Sequence, residues 1–192
     1  MHQIKAALKD LPQRLITVSE YYQMAQFGIL GPDEHVELII GKIVPMSPIG
    51  KRHALCVNLL NQLLLPLLGE EAALTIQNPV HLDDYSEPEP DLAIIKAPLS
   101  RYLSHHPRPS EIFLVIEVAD TTLEKDREVK LPLYANAGIP CCWIVNLEEE
   151  QLEIYEDPKD GDYTQQRVLR KNGQVSLPLE LGTLALDKIL IG

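Results

Sequence analysis

The chain has 192 residues, 45% hydrophobic and 23% charged, which is enough for one core of ordinary size and too apolar for a disordered chain. A net charge of −11 argues against a broad nucleic-acid-binding surface, because affinity for phosphates needs lysine and arginine. A small basic cleft, or binding through metal ions, stays open.

In chain order, Met1 to Ile16 reads as a loose lead-in, and residues 17–192 as a single domain. Thr17-Val18-Ser19-Glu20 is a capping box that opens a short helix to Phe27, and Gly28 can end it in a left-handed conformation. His35 to Ile39 and Ile43 to Met46 read as two strands of a tight hairpin, turned at Ile40-Gly41-Lys42. Ser47-Pro48 predicts a helix start. That helix runs to about Leu65, with Leu55, Leu59, Leu60, Leu63 and Leu64 as its apolar stripe, and Pro66 ends or kinks it. Ala73 to Gln77 and Val80 to Leu82 read as strands. Asp83 to Pro90 is an acidic, proline-rich loop, taken as solvated. Asp91 to Ile95 is the next strand, with Asp91 at its mouth. Lys96 to Ser110 is a surface excursion suited to a mobile flap. Ile112 to Ala119 is a strand covered on both faces. Thr121 to Glu124 gives a second capping box, for a helix through Asn136 that Pro132 should kink or split. Ala137 to Pro140 closes it. Cys141 to Leu147 is a buried strand, and Gln151 to Tyr155 with Tyr163 to Leu169 is a hairpin. Asn172-Gly173 marks a turn before a short terminal helix. The class is α/β, a mixed β-sheet flanked by helices.

The three cysteines, Cys56, Cys141 and Cys142, lack zinc spacing and read as small buried hydrophobes in a reducing compartment. No stretch reads as a signal peptide or approaches the roughly 20 apolar residues of a membrane span, so a cytoplasmic protein is expected.

One residue breaks the pattern. From Ile112 to Ala119 every side chain is apolar except Glu117. An ionised, unpaired carboxylate there would cost several kcal/mol, roughly, so it neutralises or finds a cationic partner. Glu37, Asp91 and Lys130 also stand at strand mouths or where apolar residues are wanted. Two carboxylates on adjacent strands can hold a hard divalent cation, and a nearby lysine can act on water or on phosphate charge. Plainer readings exist for each: a structural ion pair for Glu117 with Lys130, a backbone cap for Asp91, a solvated lysine for Lys130. His53 reads as a packing histidine or as a site-lining one. His105 and His106 read as surface residues, and Trp143 and Tyr134 as core.

Pro90-Asp91 at a strand start followed by Ile116-Glu117-Val118 resembles the PD-(D/E)xK motif of restriction-endonuclease-like nucleases. More narrowly, an ordered set resembles the Uma-two family, formerly catalogued as a domain of unknown function. The set is Glu37-Leu38-Ile39, Gly41 to Val44, Met46-Ser47-Pro48, His53, Glu89 to Leu92, Glu117-Val118, Asp126 with Lys130 and Tyr134, and Ala137 to Pro140 before Trp143-Ile144-Val145. The lysine of the parent motif is absent at Ala119, and Lys130 on the next helix stands in for it. Asp126 and Lys130, four apart, would share a helix face and pair there. The chain departs from the family at Asp120, Cys141-Cys142 and Asn146.

The resemblance implies a restriction-endonuclease-like core with extra β-hairpins and a metal-dependent endonuclease acting on DNA. Asp91, Glu117 and the backbone carbonyl of Val118 would hold Mg2+ or Mn2+. Lys130 would act on water or phosphate, and Glu37 would be an auxiliary acid, a second-metal ligand or a partner of Lys130. A homodimer would suit two cuts in a duplex. Two other readings use the same residues: a catalytically inactive nuclease-fold protein serving as a binding or scaffold module, and a hydrolase of another phosphoester.

Overall fold

The computed structural model describes residues 12–190, so Met1 to Leu11 of the expected lead-in lies outside the described residues. After an extended segment, helix α1 (Val18–Gln26) opens on the expected capping box, with Thr17 and Glu20 bonding each other's backbone. Strands β1 (Val36–Ile39) and β2 (Lys42–Pro45) pair antiparallel. Ile40 and Gly41 both carry positive φ, as a two-residue type I′ turn requires. Helix α2 (Lys51–Leu64) follows. Strands β3 (Ala72–Ile76), β4 (Leu92–Lys96), β5 (Ile112–Ala119), β6 (Cys141–Asn146), β7 (Gln151–Lys159) and β8 (Asp162–Arg170) form one six-stranded sheet in that order. β5 and β6 run parallel and the other neighbours antiparallel.

The crossover from β5 to β6 is helical: α3 (Leu123–Lys125), a π-helical segment (Asp126–Lys130) and α4 (Leu131–Asn136) run on without a break. Gly138, at φ 77°, closes it as the sequence predicts.

Each face of the sheet carries its own core. Leu114, Ile116 and Val118 of β5 pack with Trp143 of β6 and with Cys56, Val57, Leu60 and Leu64 of α2. Val115 and Ala119 face the other way, onto Leu131, Tyr134 and Ala135. Cys141 and Cys142 alternate between the two cores as neighbours on a strand must, and all three cysteines are free and buried.

Several expectations are corrected. α2 starts at Lys51 with Gly50 as its N-cap, not at Ser47, and residues 47–50 stay irregular along a cavity. Gly50, at φ −75° and ψ 161°, takes the extended N-cap conformation expected of Ser47. Leu55 is 48% exposed, and Cys56 and Val57 take its place in the stripe. Val80 to Leu82 is not a strand but one side of an arm, held by Val80 N–H to Pro88 O (2.9 Å) and Leu82 N–H to Ser86 O (3.0 Å). Pro79, Pro88 and Pro90 deny it the donors of a full ladder. Thr121 makes no capping box: the helix is capped at Thr122, whose hydroxyl donates to Asp126 instead, at 2.7 Å. Within the acidic run Asp83 and Asp84 are exposed, but Glu87 is buried. Strands β9 (Gln174–Ser176) and β10 (Thr183–Ala185), a small antiparallel pair, were not foreseen.

Candidate active site

The sheet register brings the first two candidates together. In the antiparallel β4–β5 ladder Leu92 faces Ile116, so the next step sets Asp91 opposite Glu117. Cross-strand neighbours share a face, and this is the face covered by the helical crossover. Asp91 Oδ2 accepts from Val118 N–H at 2.8 Å, which fixes the aspartate across the strand. Val118 therefore enters the site through its amide, while its side chain lies in the opposite core.

Lys130 comes from the π-helical segment. Its ammonium lies 3.1 Å from Glu117 Oε1 and 3.4 Å from Glu37 Oε2, and donates to Glu89 O at 2.9 Å. Lys130 thus bridges two buried carboxylates. Asp126 does not pair with it. The helix is wound wider there, with Leu131 N–H bonding Asp126 O five residues back, so four-residue spacing no longer stacks side chains.

Five further groups complete the network. Tyr134 Oη donates to Glu117 Oε1 at 2.6 Å. Lys125 Nζ lies 2.6 Å from Glu37 Oε1. Glu89 N–H donates to Glu37 Oε2 at 3.2 Å. His53 Nε2 sits 2.9 Å from Asp91 Oδ1, and its buried Nδ1 has no hydrogen-bond partner among the described residues. Asp126 is buried beside them. The sequence reading passed over Lys125. It placed Tyr134 in the core alone and Glu89 in a solvated loop. Lys125 and Lys130 stand five apart, and only a π turn sets that spacing on one side, so α-helical periodicity could not find the pair.

These groups line a cavity of about 660 Å³ between residues 46–50, the start of α2 and the crossover. Its wall carries Glu37, Glu89, Asp91, Glu117, Asp120 and Asp126 against two lysines, Lys125 and Lys130. The excess of negative charge shows in the titration. Burial pushes Glu117 up to about 8, against the pull of Lys130 and with Asp126 and Asp91 adding to the push. Asp126 and Glu89 are raised too, chiefly by burial. Burial alone would lower Lys130, but Glu117, Glu37 and Asp126 outweigh it and hold the ammonium charged. Glu37 is held low: burial opposes this, but Lys130 and Lys125 prevail.

A surplus of carboxylates in a partly enclosed cavity suits a hard divalent cation. Among the described residues no three His, Cys, Asp or Glu side chains gather around one point as a closed metal cage would need. What remains is two carboxylates on the cavity wall, Asp91 and Glu117. That fits Mg2+ or Mn2+, which keep waters and need only one or two protein carboxylates, and does not fit a structural zinc site.

Residues 18–188 match the family profile Uma2, described as "Putative restriction endonuclease". No curated protein matches. Among solved structures, a "putative nuclease belonging to DUF820" from Anabaena variabilis is similar over 91% of this chain and 97% of its own, with a TM-score of 0.63 at 16% identity. At that identity the likeness speaks for the fold.

Proposed function

From a chain that belongs to the Uma2 family of "Putative restriction endonuclease" proteins, we propose a metal-dependent endonuclease that hydrolyses DNA phosphodiester bonds at the cavity of Asp91, Glu117 and Lys130. The observation that carries this reading is the cross-strand Asp91–Glu117 pair with the Lys130 ammonium against it.

Asp91 and Glu117, with the Val118 carbonyl, would hold Mg2+ or Mn2+. When bound, that ion supplies Lewis acidity and a more acidic water. The chain's own residues do the rest. Val118 N–H and His53 orient the Asp91 carboxylate. Tyr134 and Lys130 fix the rotamer of Glu117. Lys130 presents a fixed positive charge where negative charge develops on the phosphate. Glu37, shared between Lys125 and Lys130, aims both ammonium groups rather than taking a proton. DNA enters through this local cleft and not across the acidic surface as a whole. Two copies about a two-fold axis would place one site on each strand, and such a dimer would run at twice the monomer mass in light scattering. Among the described residues no helix is long and apolar enough to cross a membrane.

The test is nicking of supercoiled plasmid with Mg2+ or Mn2+, with Asp91→Ala and Glu117→Gln as controls. Each substitution should lower the rate by roughly 10²–10³-fold, the scale at which removing one charge-stabilising group acts. Unchanged rates in both variants would sink the assignment. One observation favours a second reading, a catalytically silent scaffold: Lys130 and Tyr134 already engage Glu117. That reading predicts no saturable Mg2+ or Mn2+ binding by calorimetry.

A further inference from the structure

A second cavity, of about 420 Å³, opens on the other part of the molecule that the 80–90 arm touches. Its walls are Tyr22 of α1, His81 and Glu87 of the arm, and His105, His106 and Arg108 of the excursion after β4. Glu87 is 4% exposed and both its oxygens are engaged, one by the Tyr22 hydroxyl and one by His81 Nδ1 at 3.0 Å. A buried carboxylate therefore anchors two aromatic side chains from different elements. His105 is tied in turn to Glu111 at 3.4 Å and packs on Tyr102, with ring centroids 5.6 Å apart. Tyr22, His81 and His105 are thus held before any ligand arrives.

The geometry of one pair is specific. Tyr22 and His106 lie nearly parallel, 14° between planes, with centroids 6.3 Å apart. That lies within the range of direct aromatic pairing, so the two rings form one apolar platform and not a slot. Tyr22 is 43% exposed, and both it and His106 line the cavity. Arg108 is exposed at the rim, and among the described residues its guanidinium has no carboxylate partner. Flat apolar faces beside an uncommitted cation suit a planar ring carrying an anion next to it. In a chain with a net charge of −11, a cationic and aromatic rim is local and not a general surface property.

We propose that this cavity takes an unpaired nucleobase of single-stranded nucleic acid stacked on the Tyr22–His106 pair, with Arg108 on the adjoining phosphate. A base inside a duplex has both faces covered by its neighbours and could not enter, so the cavity selects strands with unpaired bases. The identity of the polymer rests on the nuclease reading; the aromatic pair and the cation stand without it. Because His81 and Glu87 share the arm with Glu89, which lines the catalytic cavity, a strand held here is tethered close to that cavity.

Anisotropy of a short fluorescein-labelled oligothymidylate and of the matching blunt duplex, both in EDTA so that no cleavage occurs, tests this. The single strand should bind about tenfold more tightly than the duplex, and His106→Leu and Arg108→Gln should each weaken it about fivefold or more, as loss of one base stack or one phosphate contact does. Both substitutions lie outside the Glu87 anchor, so the thermal melt should stay unchanged. Wild-type protein that binds neither probe, equal affinity for both, or unaltered binding by both variants overturns the proposal. Single-strand binding that depends on His106 and Arg108 without plasmid nicking would overturn the nuclease reading alone. Nicking with no such dependence would overturn this one alone.

Discussion

Folding moves the Glu117 carboxyl from its ordinary 4.5 to about 8, through burial first. Between those values the folded chain binds the proton that the unfolded chain has released, so stability falls as pH rises across that window and levels off above it. Asp126 and Glu89, raised in the same direction, add to the slope. Glu37, held low by its lysines, titrates below the window and does not offset it. With divalent ions removed by EDTA, the melting temperature should therefore drop from about pH 5 to about pH 8, and Glu117→Gln should flatten part of that drop. Equal slopes in the two proteins would mean that Glu117 is not the group responsible. At this scale the sequence was most informative where one residue type contradicted its neighbours. Glu117 stood out because everything around it is apolar. His53 stayed open between packing and lining the site, and Tyr134 read as core, because a histidine or tyrosine among leucines is ordinary; the fold turns their polar atoms to Asp91 and Glu117.

The π-helical segment does for the element what the register does for the sheet. Arg127 on its outer side makes a two-point bond to Glu153 of β7, Nε to Oε2 at 2.9 Å and Nη2 to Oε1 at 2.5 Å. Asn146, Gln151 and Tyr155 also donate to that buried carboxylate. Removing the arginine leaves Glu153 with neutral donors only. Arg127→Ala should cost about 2 kcal/mol in urea unfolding, the scale of hydrogen bonds to a charged group, discounted because the guanidinium is partly exposed. A π turn is an α-helix with one residue added. Deleting Val129, which is 38% exposed, should rewind the segment and swing Lys125 and Asp126 away from Lys130. Plasmid nicking should then fall by about a hundredfold, as misplacement by an ångström can do, while far-UV circular dichroism is retained. The strands β4 to β8 were legible because apolar runs and turn residues mark them. The π turn was not, because its signature is a hydrogen-bond offset and not a residue pattern. β9 and β10, at three residues each, are too short for periodicity to register.

For the whole molecule, the balance of charge decides how nucleic acid can be held. With 17 basic against 28 acidic residues, few phosphates can be neutralised at once. If only two or three are, the logarithm of the binding constant should fall with the logarithm of salt at a slope of about −2 to −3, far shallower than for a basic DNA-binding domain. A slope near −6 measured by titration in KCl would point to an extended basic track that this surface does not offer. The α/β class and mixed sheet followed from the chain order of runs and caps. The partnership of Glu37 with Lys130 came only through the family resemblance, and Lys125 not at all, since no local rule reaches across sequence gaps of about ninety residues. The lone tryptophan, Trp143, sits in the core on the side of the sheet turned away from Glu117, 1% exposed. Its emission is thus a built-in optical gauge of global melting that carboxylate and lysine replacements at the cleft leave unquenched, so every variant above can be checked for intact folding without a label.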